Sequence, residues 1–334
     1  MTIPNRLKIG DTIGICSPSS PVAAHCPKRL KRGIEELKKL GFNVKVAPNT
    51  LKIEEYMAGT IEERVEDLHN LFGDNDVKAI ITTIGGTCSH QLLDFLDFSL
   101  IQKNPKIFLG YSDITALHMA IYQKTGLTTY LGPAIMPQFG EYGGLQTYTK
   151  DHFFQSLVQG ERVDYSASPS YVMEHLWWDE EDNRLRKQVE NKGPHVVKEG
   201  SAEGKIIAAN MGTMLLLAGT EYFPDLDGAI LCIEDDPEET PSSIDRYLTK
   251  LKHMGVYSKI NGLVVGRFHD HVGLKENQLA GILSRVTEGY EIPVVTDLDF
   301  GHTDPMFILP NGIKARLEVH ENQIDFHLVE KPAT

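Results

Sequence analysis

The first half of the chain alternates short apolar runs with amphipathic segments, and this alternation constrains the fold more than any other feature. The runs at 12–18, 77–86 and 106–110 have the composition of buried strands, and the segments at 28–41 and 113–126 carry apolar residues at helical spacing. Strands that alternate with helices form right-handed βαβ units around a mostly parallel sheet. The sequence therefore predicts an α/β fold whose ligand crevice lies beyond the carboxyl ends of the strands.

The length of the chain predicts more than one domain. At 334 residues it exceeds the size at which one hydrophobic core usually keeps growing. The alternation described above covers residues 1–160. Residues 161–200 are polar, contain proline and lack periodicity, which is typical of a linker with a long loop. Strands and helices resume in residues 201–334, which we expect to form a second domain.

Composition excludes several classes of protein. A formal charge of −13, from 33 Lys and Arg against 46 Asp and Glu, gives no basis for binding a nucleic-acid polymer. No apolar run approaches the roughly 20 residues of a membrane span, and the N-terminus lacks the apolar stretch of a signal peptide. The four cysteines have no CxxC spacing, which argues against a metal site. We expect a cytoplasmic protein with reduced thiols and no membrane partner.

Ser112 lies where the apolar run ending at Gly110 turns directly into a helix. A serine in this position is most often an N-cap, because its hydroxyl accepts a hydrogen bond from a first-turn amide. A tight strand-to-helix turn can also project the hydroxyl of a nucleophile from the edge of a sheet. The stretch lacks the second glycine of the G-x-S-x-G motif. Local sequence therefore leaves both interpretations open.

A serine nucleophile needs a base within hydrogen-bond reach and an acid that orients the base. Among the 13 histidines, His302 follows an apolar run and precedes a proline turn, which predicts a strand end. Glu234 ends the apolar run AILCIE and suits an orienting acid. The alternatives are a surface-loop histidine and a solvated acid at the rim of a sheet. His118 lies in the helix after Ser112 and is expected to pack against the sheet.

Backbone amides usually bind the oxyanion in such sites. The amide of Asp113 follows Ser112 directly, and Gly86 follows the apolar run at 77–84. Glycine permits a positive φ, so Gly85 and Gly86 allow the backbone to approach a substrate closely. An ordinary turn between a strand and a helix would use the same glycine pair. Cys88, in the same loop, is expected to be a packing group.

Three motifs in the order GYSDIT, IEDDPEE and GHTDP resemble the serine peptidases of the LD-carboxypeptidase and microcin C self-immunity family. The likeness spans essentially the whole chain, including TIGGT and GKIIAAN. It implies a triad in which Ser112 is the nucleophile, His302 the general base and Glu234 the orienting acid, with oxyanion amides at Gly86 and Asp113. It also implies an N-terminal flavodoxin-like sheet resembling class I glutamine amidotransferases, a C-terminal α+β domain, a homodimer, and no metal or other cofactor.

The family has two branches with different substrates. LD-carboxypeptidases cut an L-to-D amide in murein tetrapeptides, and self-immunity proteins cut the amide between a peptidyl-aspartate and a nucleotide-like phosphoramidate. The loop with Trp177 and Trp178 resembles the second branch, in which aromatic side chains stack on the nucleobase, and Asn210 matches a substrate-contacting asparagine. We therefore expect a self-immunity-like enzyme with a small peptide or peptidyl-nucleotide substrate, Gly85 also contacting it. The alternative role of the tryptophans is to pin the linker to the core.

Glu238 departs from the self-immunity pattern. Members of that branch tend to carry a lysine four residues after the triad glutamate, where it reaches the phosphate. An acid at this position repels a phosphate, and the segment after Glu234 is closer to the carboxypeptidase version. A murein tetrapeptide therefore stays open as the alternative substrate.

Two functions from other classes also compete. A non-catalytic protein could use the same fold to hold a peptide or a nucleotide, since fold does not fix function. Glutamine amidotransferase chemistry would fit the sheet but needs a cysteine where Ser112 stands.

Overall fold

The computed structural model describes residues 1–321 and 323–334, which form two large sheets with helices packed on their faces. The sheet formed mainly by the N-terminal part has six strands. They are β1 (Thr12–Cys16), β2 (Asn43–Val46), β3 (Val77–Thr82), β4 (Ile107–Gly110), β5 (Tyr130–Leu131) and β13 (Leu309–Pro310). Their order is β2-β1-β3-β4-β5-β13, and the first five are parallel. The predicted α/β class with a parallel sheet is confirmed.

Strand β13 comes from the C-terminal part of the chain and pairs antiparallel with β5. The two parts of the protein are therefore interlocked rather than joined only by the linker. Leu309 pairs with Leu131, so the strand that follows the GHTDP segment is fixed to the N-terminal sheet. This pairing brings the end of the chain back toward the turn that carries Ser112.

The second large sheet has seven strands and mixed direction. They are β8 (His195–Lys198), β9 (Gly200–Asn210), β10 (Ala229–Glu234), β11 (Gly262–Gly266), β12 (Val294–Leu298), β14 (Lys314–His320) and β15 (Gln323–Leu328). The order is β15-β14-β9-β10-β11-β12-β8, in which β9 to β12 are parallel and the outer strands antiparallel. The linker adds a small antiparallel pair, β6 (Ser170–Tyr171) and β7 (Val189–Glu190).

Nine α-helices lie within the described residues. They are α1 (Val22–His25), α2 (Pro27–Lys39), α3 (Ile61–Gly73), α4 (Phe98–Lys103), α5 (Thr115–Thr125), α6 (Thr147–Phe153), α7 (Met211–Leu216), α8 (Pro241–His253) and α9 (Gln278–Val286). Thr60 and Glu63 form a capping box at the start of α3, and Gly126 ends α5 with a φ of 69°. Helix α6 is followed by a π-helical turn over Phe154–Gln159.

One hydrophobic cluster runs from the N-terminal sheet to the C-terminal sheet without interruption. It contains buried residues of α3 and α5 together with residues of β9, β10, α8 and α9. Two further clusters cover the other faces of the two sheets. In the described part of the chain, no helix is both long and apolar enough to cross a membrane. The two large sheets therefore share one hydrophobic cluster.

Candidate active site

Ser112 occupies a sharp turn between β4 and α5. Its φ is 62°, in the left-handed region that serine rarely adopts, and a 3₁₀ turn over Ser112–Ile114 leads into the helix. A Cβ on Gly110 would lie 3.2 Å from the Ile114 side chain and closer still to Thr82, so the residue before the turn must be glycine. The Ser112 side chain caps neither this turn nor α5, and makes no hydrogen bond with any described residue. The N-cap interpretation is therefore wrong.

His118 is hydrogen-bonded to the end of the strand that precedes the Ser112 turn. One turn into α5, its Nε2–H donates a 2.9 Å hydrogen bond to the carbonyl oxygen of Gly110. Burial lowers the pKa of His118 to about 4, so the ring is neutral near neutral pH. The expectation that His118 packs against the sheet is confirmed by its ring contact with Phe108. His118 is therefore part of the support of the strand end and is closed to solvent.

Glu234 and His302 form a hydrogen-bonded pair at the carboxyl edge of the C-terminal sheet. Glu234 ends β10 and is buried, and its Oε2 accepts a hydrogen bond of 2.6 Å from His302 Nδ1. A Cβ on Gly301 would lie 2.6 Å from that Oε2, and the φ of Gly301 is 99°. Only glycine therefore lets the chain pass this close to the glutamate. The structure brings together two residues that lie 68 positions apart in the sequence.

The environment of His302 favours its charged form. Burial lowers the pKa of His302, but the carboxylate of Glu234 raises it, and Asp236 and Asp235 add to that effect. The net result is a pKa above the ordinary value of 6.5. Because Nδ1 faces Glu234, Nε2 is the nitrogen left for proton transfer. The pair thus has the electrostatics of a base that is stabilised when it takes up a proton.

His302 lies beside the residue that precedes Ser112. The rings of Tyr111 and His302 are 5.0 Å apart in an edge-to-face arrangement. No hydrogen bond joins Ser112 Oγ to His302 in this structure. In structures without substrate, hydrogen bonds between catalytic groups are often long and shorten only in the substrate complex. The structure therefore brings His302 to the Ser112 turn through Tyr111.

Gly85 and Gly86 face the Ser112 turn from the loop after β3. A Cβ on Gly85 would lie 2.9 Å from Ser112 Cβ and 3.1 Å from the amide nitrogen of Asp113. Gly86 has a φ of 148°, and a Cβ there would meet Ser19 and Ser20. The amides of Gly86 and Asp113 donate to no backbone oxygen of the described residues outside regular elements. The loop and the turn therefore approach as closely as their backbones allow.

The two tryptophans have different surroundings. Trp177 is 64% exposed, and its ring lies edge to face against that of His175. Trp178 is partly buried against the N-terminal core, and the Arg29 guanidinium lies 4.4 Å from the centre of its ring. Trp178 thus pins the linker to the N-terminal part, the alternative role foreseen for both tryptophans. Trp177 leaves a free aromatic face.

Asn210 pairs with Glu234 in the register of β9 and β10. Both polar atoms of its side chain already form hydrogen bonds within the protein. Its side-chain oxygen caps α7 by accepting from the amide of Thr213, and its Nδ2 donates to Asp235 at 3.0 Å. Its backbone amide donates to Thr115 Oγ1 at the start of α5. Asn210 therefore links the Ser112 turn to the Glu234 strand end.

Acidic side chains dominate the loop after Glu234. Burial, followed by the charge of Glu234, raises the pKa of Asp235 to about 8. Glu238 is exposed. In the described part of the chain, Asp235, Asp236 and Glu239 are the only acidic group whose oxygens lie within 4.8 Å of one another, as metal ligands would. Asp235 already accepts from Asn210 and from the amide of Gly212, which accounts for its orientation without an ion.

An ionic cluster that the sequence did not reveal joins the linker to the GHTDP segment. Arg186 donates at 2.6 Å to Asp304 and forms an ion pair of 2.6 Å with Glu141. Gln138 donates to Asp304 and to the hydroxyl of Tyr111. Asp304 belongs to a motif that the sequence singled out, so its position signalled a role. Arg186 lies in a polar stretch where nothing distinguishes it from its neighbours. The cluster fixes the loop over the edge that carries Tyr111.

Comparisons with known proteins agree with this arrangement. The family model of the LD-carboxypeptidase N-terminal domain matches residues 13–132, and that of the C-terminal domain matches residues 203–317. Ser112 falls within the first match, and Glu234 and His302 fall within the second. The linker, with both tryptophans, lies between the two matches.

Relatives cover nearly the whole chain. The putative carboxypeptidase YocD of Bacillus subtilis is 37% identical over 94% of this chain and 95% of its own. The microcin C7 self-immunity protein MccF of Escherichia coli is 36% identical over 95% of this chain and 93% of its own. The crystal structure of an MccF-like protein from Bacillus anthracis superposes with a TM-score of 0.93 at 36% identity, covering 99% of this chain and all of that one.

Proposed function

Because the chain belongs to the LD-carboxypeptidase family, which includes the microcin C7 self-immunity protein, we propose that it is a serine hydrolase that cleaves an amide bond. Ser112 is the proposed nucleophile, His302 the general base and Glu234 the acid that orients it. The observation that carries this proposal is the 2.6 Å hydrogen bond from His302 Nδ1 to the buried Glu234, with the His302 ring against Tyr111.

In the proposed reaction, Ser112 Oγ attacks the carbonyl carbon of the scissile amide and His302 Nε2 takes the hydroxyl proton. Glu234 stabilises the resulting imidazolium and keeps the neutral ring in the tautomer with hydrogen on Nδ1. The amides of Gly86 and Asp113 donate to the oxyanion of the tetrahedral intermediate. His302 then protonates the departing amine, which leaves an acyl group on Ser112. Water activated by the same histidine releases the carboxylate product.

We propose an aminoacyl or peptidyl nucleotide as the substrate class. Solved structures of MccF hold aspartyl sulfamoyl adenosine and glutamyl sulfamoyl guanosine. Trp177 of this chain offers an exposed aromatic face of the kind on which a base can stack. An active-site variant of MccF replaces a serine, an asparagine and a lysine with alanine. In this chain Glu238 stands at the position where the self-immunity branch tends to carry a lysine.

A murein tetrapeptide is the second candidate substrate, and Glu238 is the observation that favours it. The exposed carboxylate of Glu238 would repel a phosphate. A relative from Bacillus subtilis, a probable murein peptide carboxypeptidase, is 34% identical over 95% of this chain. The carboxypeptidase reaction uses the same triad and differs only in the groups beside the scissile amide.

Hydrolysis of the two substrates side by side tests the proposal. The purified protein is incubated with aspartyl sulfamoyl adenosine and, separately, with an L,D-tetrapeptide. Release of aspartate from the first and of D-alanine from the second is measured. We expect hydrolysis of the adenosine compound. Trp177→Ala should raise its KM about 5- to 150-fold, since stacking of a base contributes roughly 1–3 kcal/mol. Leu185→Ala, which removes another exposed apolar side chain of the same loop, is the matched control. Turnover of neither substrate would refute both substrate assignments.

The fold that the family resemblance implies is also part of this proposal. The strand order β2-β1-β3-β4-β5 is the order of flavodoxin-like sheets and supports that assignment for the N-terminal sheet. The domain limits 1–160, 161–200 and 201–334 stay predictions, as do the α+β description of the C-terminal domain, the homodimer and the cytoplasmic location.

A further inference from the structure

The carboxylate of Asp113 gathers three donors from two other loops onto a single oxygen. Asp113 Oδ2 accepts from Ser19 Oγ at 2.6 Å, from the amide of Cys88 at 3.0 Å and from the amide of Ser89 at 2.8 Å. The backbone oxygen of Asp113 accepts from Ser89 Oγ at 2.6 Å. Asp113 is buried, and no cation lies within salt-bridge distance of its carboxylate in the described residues. Hydrogen bonds to a buried carboxylate are among the stronger ones in proteins.

These contacts lead directly to Gly86. Ser19 Oγ donates to Asp113 and packs against the backbone of Gly86. A Cβ added to Gly86 would lie only 2.5 Å from this oxygen. Cys88 and Ser89, whose amides the same oxygen holds, follow Gly86 by two and three residues. The segment that contains Gly86 is therefore fixed on both sides by one carboxylate oxygen. That carboxylate belongs to the residue that follows Ser112.

Arg64 reinforces the same loops from the side of α3. Its guanidinium is buried and donates to the carbonyl oxygens of Pro18 and Cys88 and to Gln91 Oε1. Asp113 therefore accepts hydrogen bonds from donors of these two loops, and Arg64 donates hydrogen bonds to their carbonyl oxygens. This double attachment leaves the relative position of Gly86 and the Ser112 turn little freedom.

We propose that the Asp113 carboxylate is a positioning residue that sets the distance between the two oxyanion donors. The inference rests on the proposed function, in which the amides of Gly86 and Asp113 bind the oxyanion. One residue then has two tasks: its amide donates to the oxyanion, and its side chain holds the loop that supplies the second donor. Motion of the Ser112 turn would carry the Gly86 loop with it, so the nucleophile and the oxyanion donors stay in register.

Kinetics of Asp113→Ala and Asp113→Asn test this proposal on whichever of the two substrates above is hydrolysed. The alanine variant keeps the amide of residue 113 but frees the Gly86 loop. Its kcat should fall about 10²-fold with KM little changed, because losing one oxyanion donor costs 10²- to 10³-fold in kcat. The asparagine variant can present its carbonyl oxygen where Oδ2 stood and accept the same three hydrogen bonds. It should recover most of kcat.

Asp67→Ala is the matched control for the loss of a buried carboxylate. Asp67 is buried in α3 and accepts hydrogen bonds from the backbone and side chain of Asn49. Its hydrogen bonds among the described residues do not involve the Ser112 turn or the Gly86 loop. It should lower the melting temperature and leave kcat of the folded protein unchanged. If Asp113→Ala keeps the kcat of the wild-type protein, or lowers kcat no more than Asp67→Ala does, the positioning role is wrong.

Ser112→Ala separates this outcome from failure of the proposed function. An inactive Ser112→Ala together with a fully active Asp113→Ala would refute the positioning role alone. A Ser112→Ala variant with wild-type turnover would refute the nucleophile itself. Should Asp113→Ala not fold, Ser19→Ala removes only one of the three donors, and the proposal then requires a smaller loss of kcat with unchanged KM. Unchanged kcat in Ser19→Ala would contradict it.

Discussion

Ser112 shows how little a single residue reveals about its role from local sequence. GYSD suits both a helix cap and a nucleophile, because both need a serine just before a helix. The structure excludes the cap: Ser112 has a φ of 62°, and its side chain accepts no hydrogen bond from a first-turn amide. Such conformations cost of order 1–3 kcal/mol and cluster at functional sites. The neighbouring glycines are what permit the turn.

Glu234→Gln is the sharpest change at the scale of one residue. The Glu234 charge raises the pKa of His302 against the effect of burial, so the neutral base is lost as pH falls through a value above 6.5. Without that charge, burial dominates, and the acid limb of kcat/KM should move to lower pH. At the same time kcat should fall by about 10²- to 10⁴-fold, because the imidazolium loses its stabilising partner.

The pH profile of kcat/KM is the measurement for this variant. Glu291→Gln removes an exposed carboxylate that pairs with Lys198 and should leave the acid limb in place. An acid limb that stays unchanged in Glu234→Gln would contradict the assignment of His302 as the titrating base.

At the scale of elements, the linker is held more firmly than its polar sequence suggests. Asp179 accepts hydrogen bonds of 2.7 Å from the amides of Lys28 and Arg29, so it caps α2 from 150 residues away. The capping position of α2 itself, Cys26, provides no side-chain acceptor. Asp182 adds ion pairs to Arg29 and Arg32. The loop that carries Trp177 is thereby attached to the first helical turn of α2.

Asp179→Ala should detach this loop. Loss of a capping side chain lowers the stability of a helix by about 0.5–2 kcal/mol. Because Asp179 belongs to the linker, we expect this loss mainly to weaken the binding of the linker to α2. Hydrogen exchange of amides around Trp177 should become faster, and KM for a nucleotide substrate should rise while kcat changes little. Asp164→Ala serves as the control, because the exposed Asp164 side chain pairs with Arg162 and leaves the contacts to α2 intact. Equal exchange rates in both variants would show that the attachment has no effect on the loop.

The regular elements were predictable from sequence, and the contacts between them were not. The helices α2, α3 and α5 and the strands around them follow from apolar spacing, capping residues and glycine, all of which act within a few residues. Arg186 donates to Asp304, 118 residues away, and Asp179 accepts from Lys28, 151 residues away. The sequence around Arg186 and Asp179 is simply polar. Those site residues that lie at strand ends were predictable, because parallel strands bring their carboxyl ends to one edge of the sheet.

At the scale of the whole molecule, the two sheets share one hydrophobic cluster and one strand crosses between them. Residues from both parts pack together in the cluster that contains α5 and β10. Strand β13 completes the N-terminal sheet although it follows the GHTDP segment. The proposed triad depends on this arrangement, because Ser112 lies at the edge of one sheet and Glu234 and His302 lie at the edge of the other. Length alone predicted two domains but gave no sign of their interlocking.

Thermal unfolding should therefore be a single cooperative transition. Separating the sheets would expose the shared cluster and unpair β13, so neither part is expected to unfold alone. Calorimetry measures this directly, since the calorimetric and van't Hoff enthalpies agree for a two-state transition. Two resolved transitions would contradict the interlocked arrangement.

The proposed role of Ser112 as the nucleophile of a serine hydrolase can be tested directly. The intact protein is treated with a fluorophosphonate, and the modified residue is located by mass mapping of its peptides. We expect one adduct, on Ser112, that blocks hydrolysis in proportion to labelling and is absent from a folded Ser112→Ala variant. An adduct on another residue that blocks hydrolysis while Ser112 stays unmodified would contradict it.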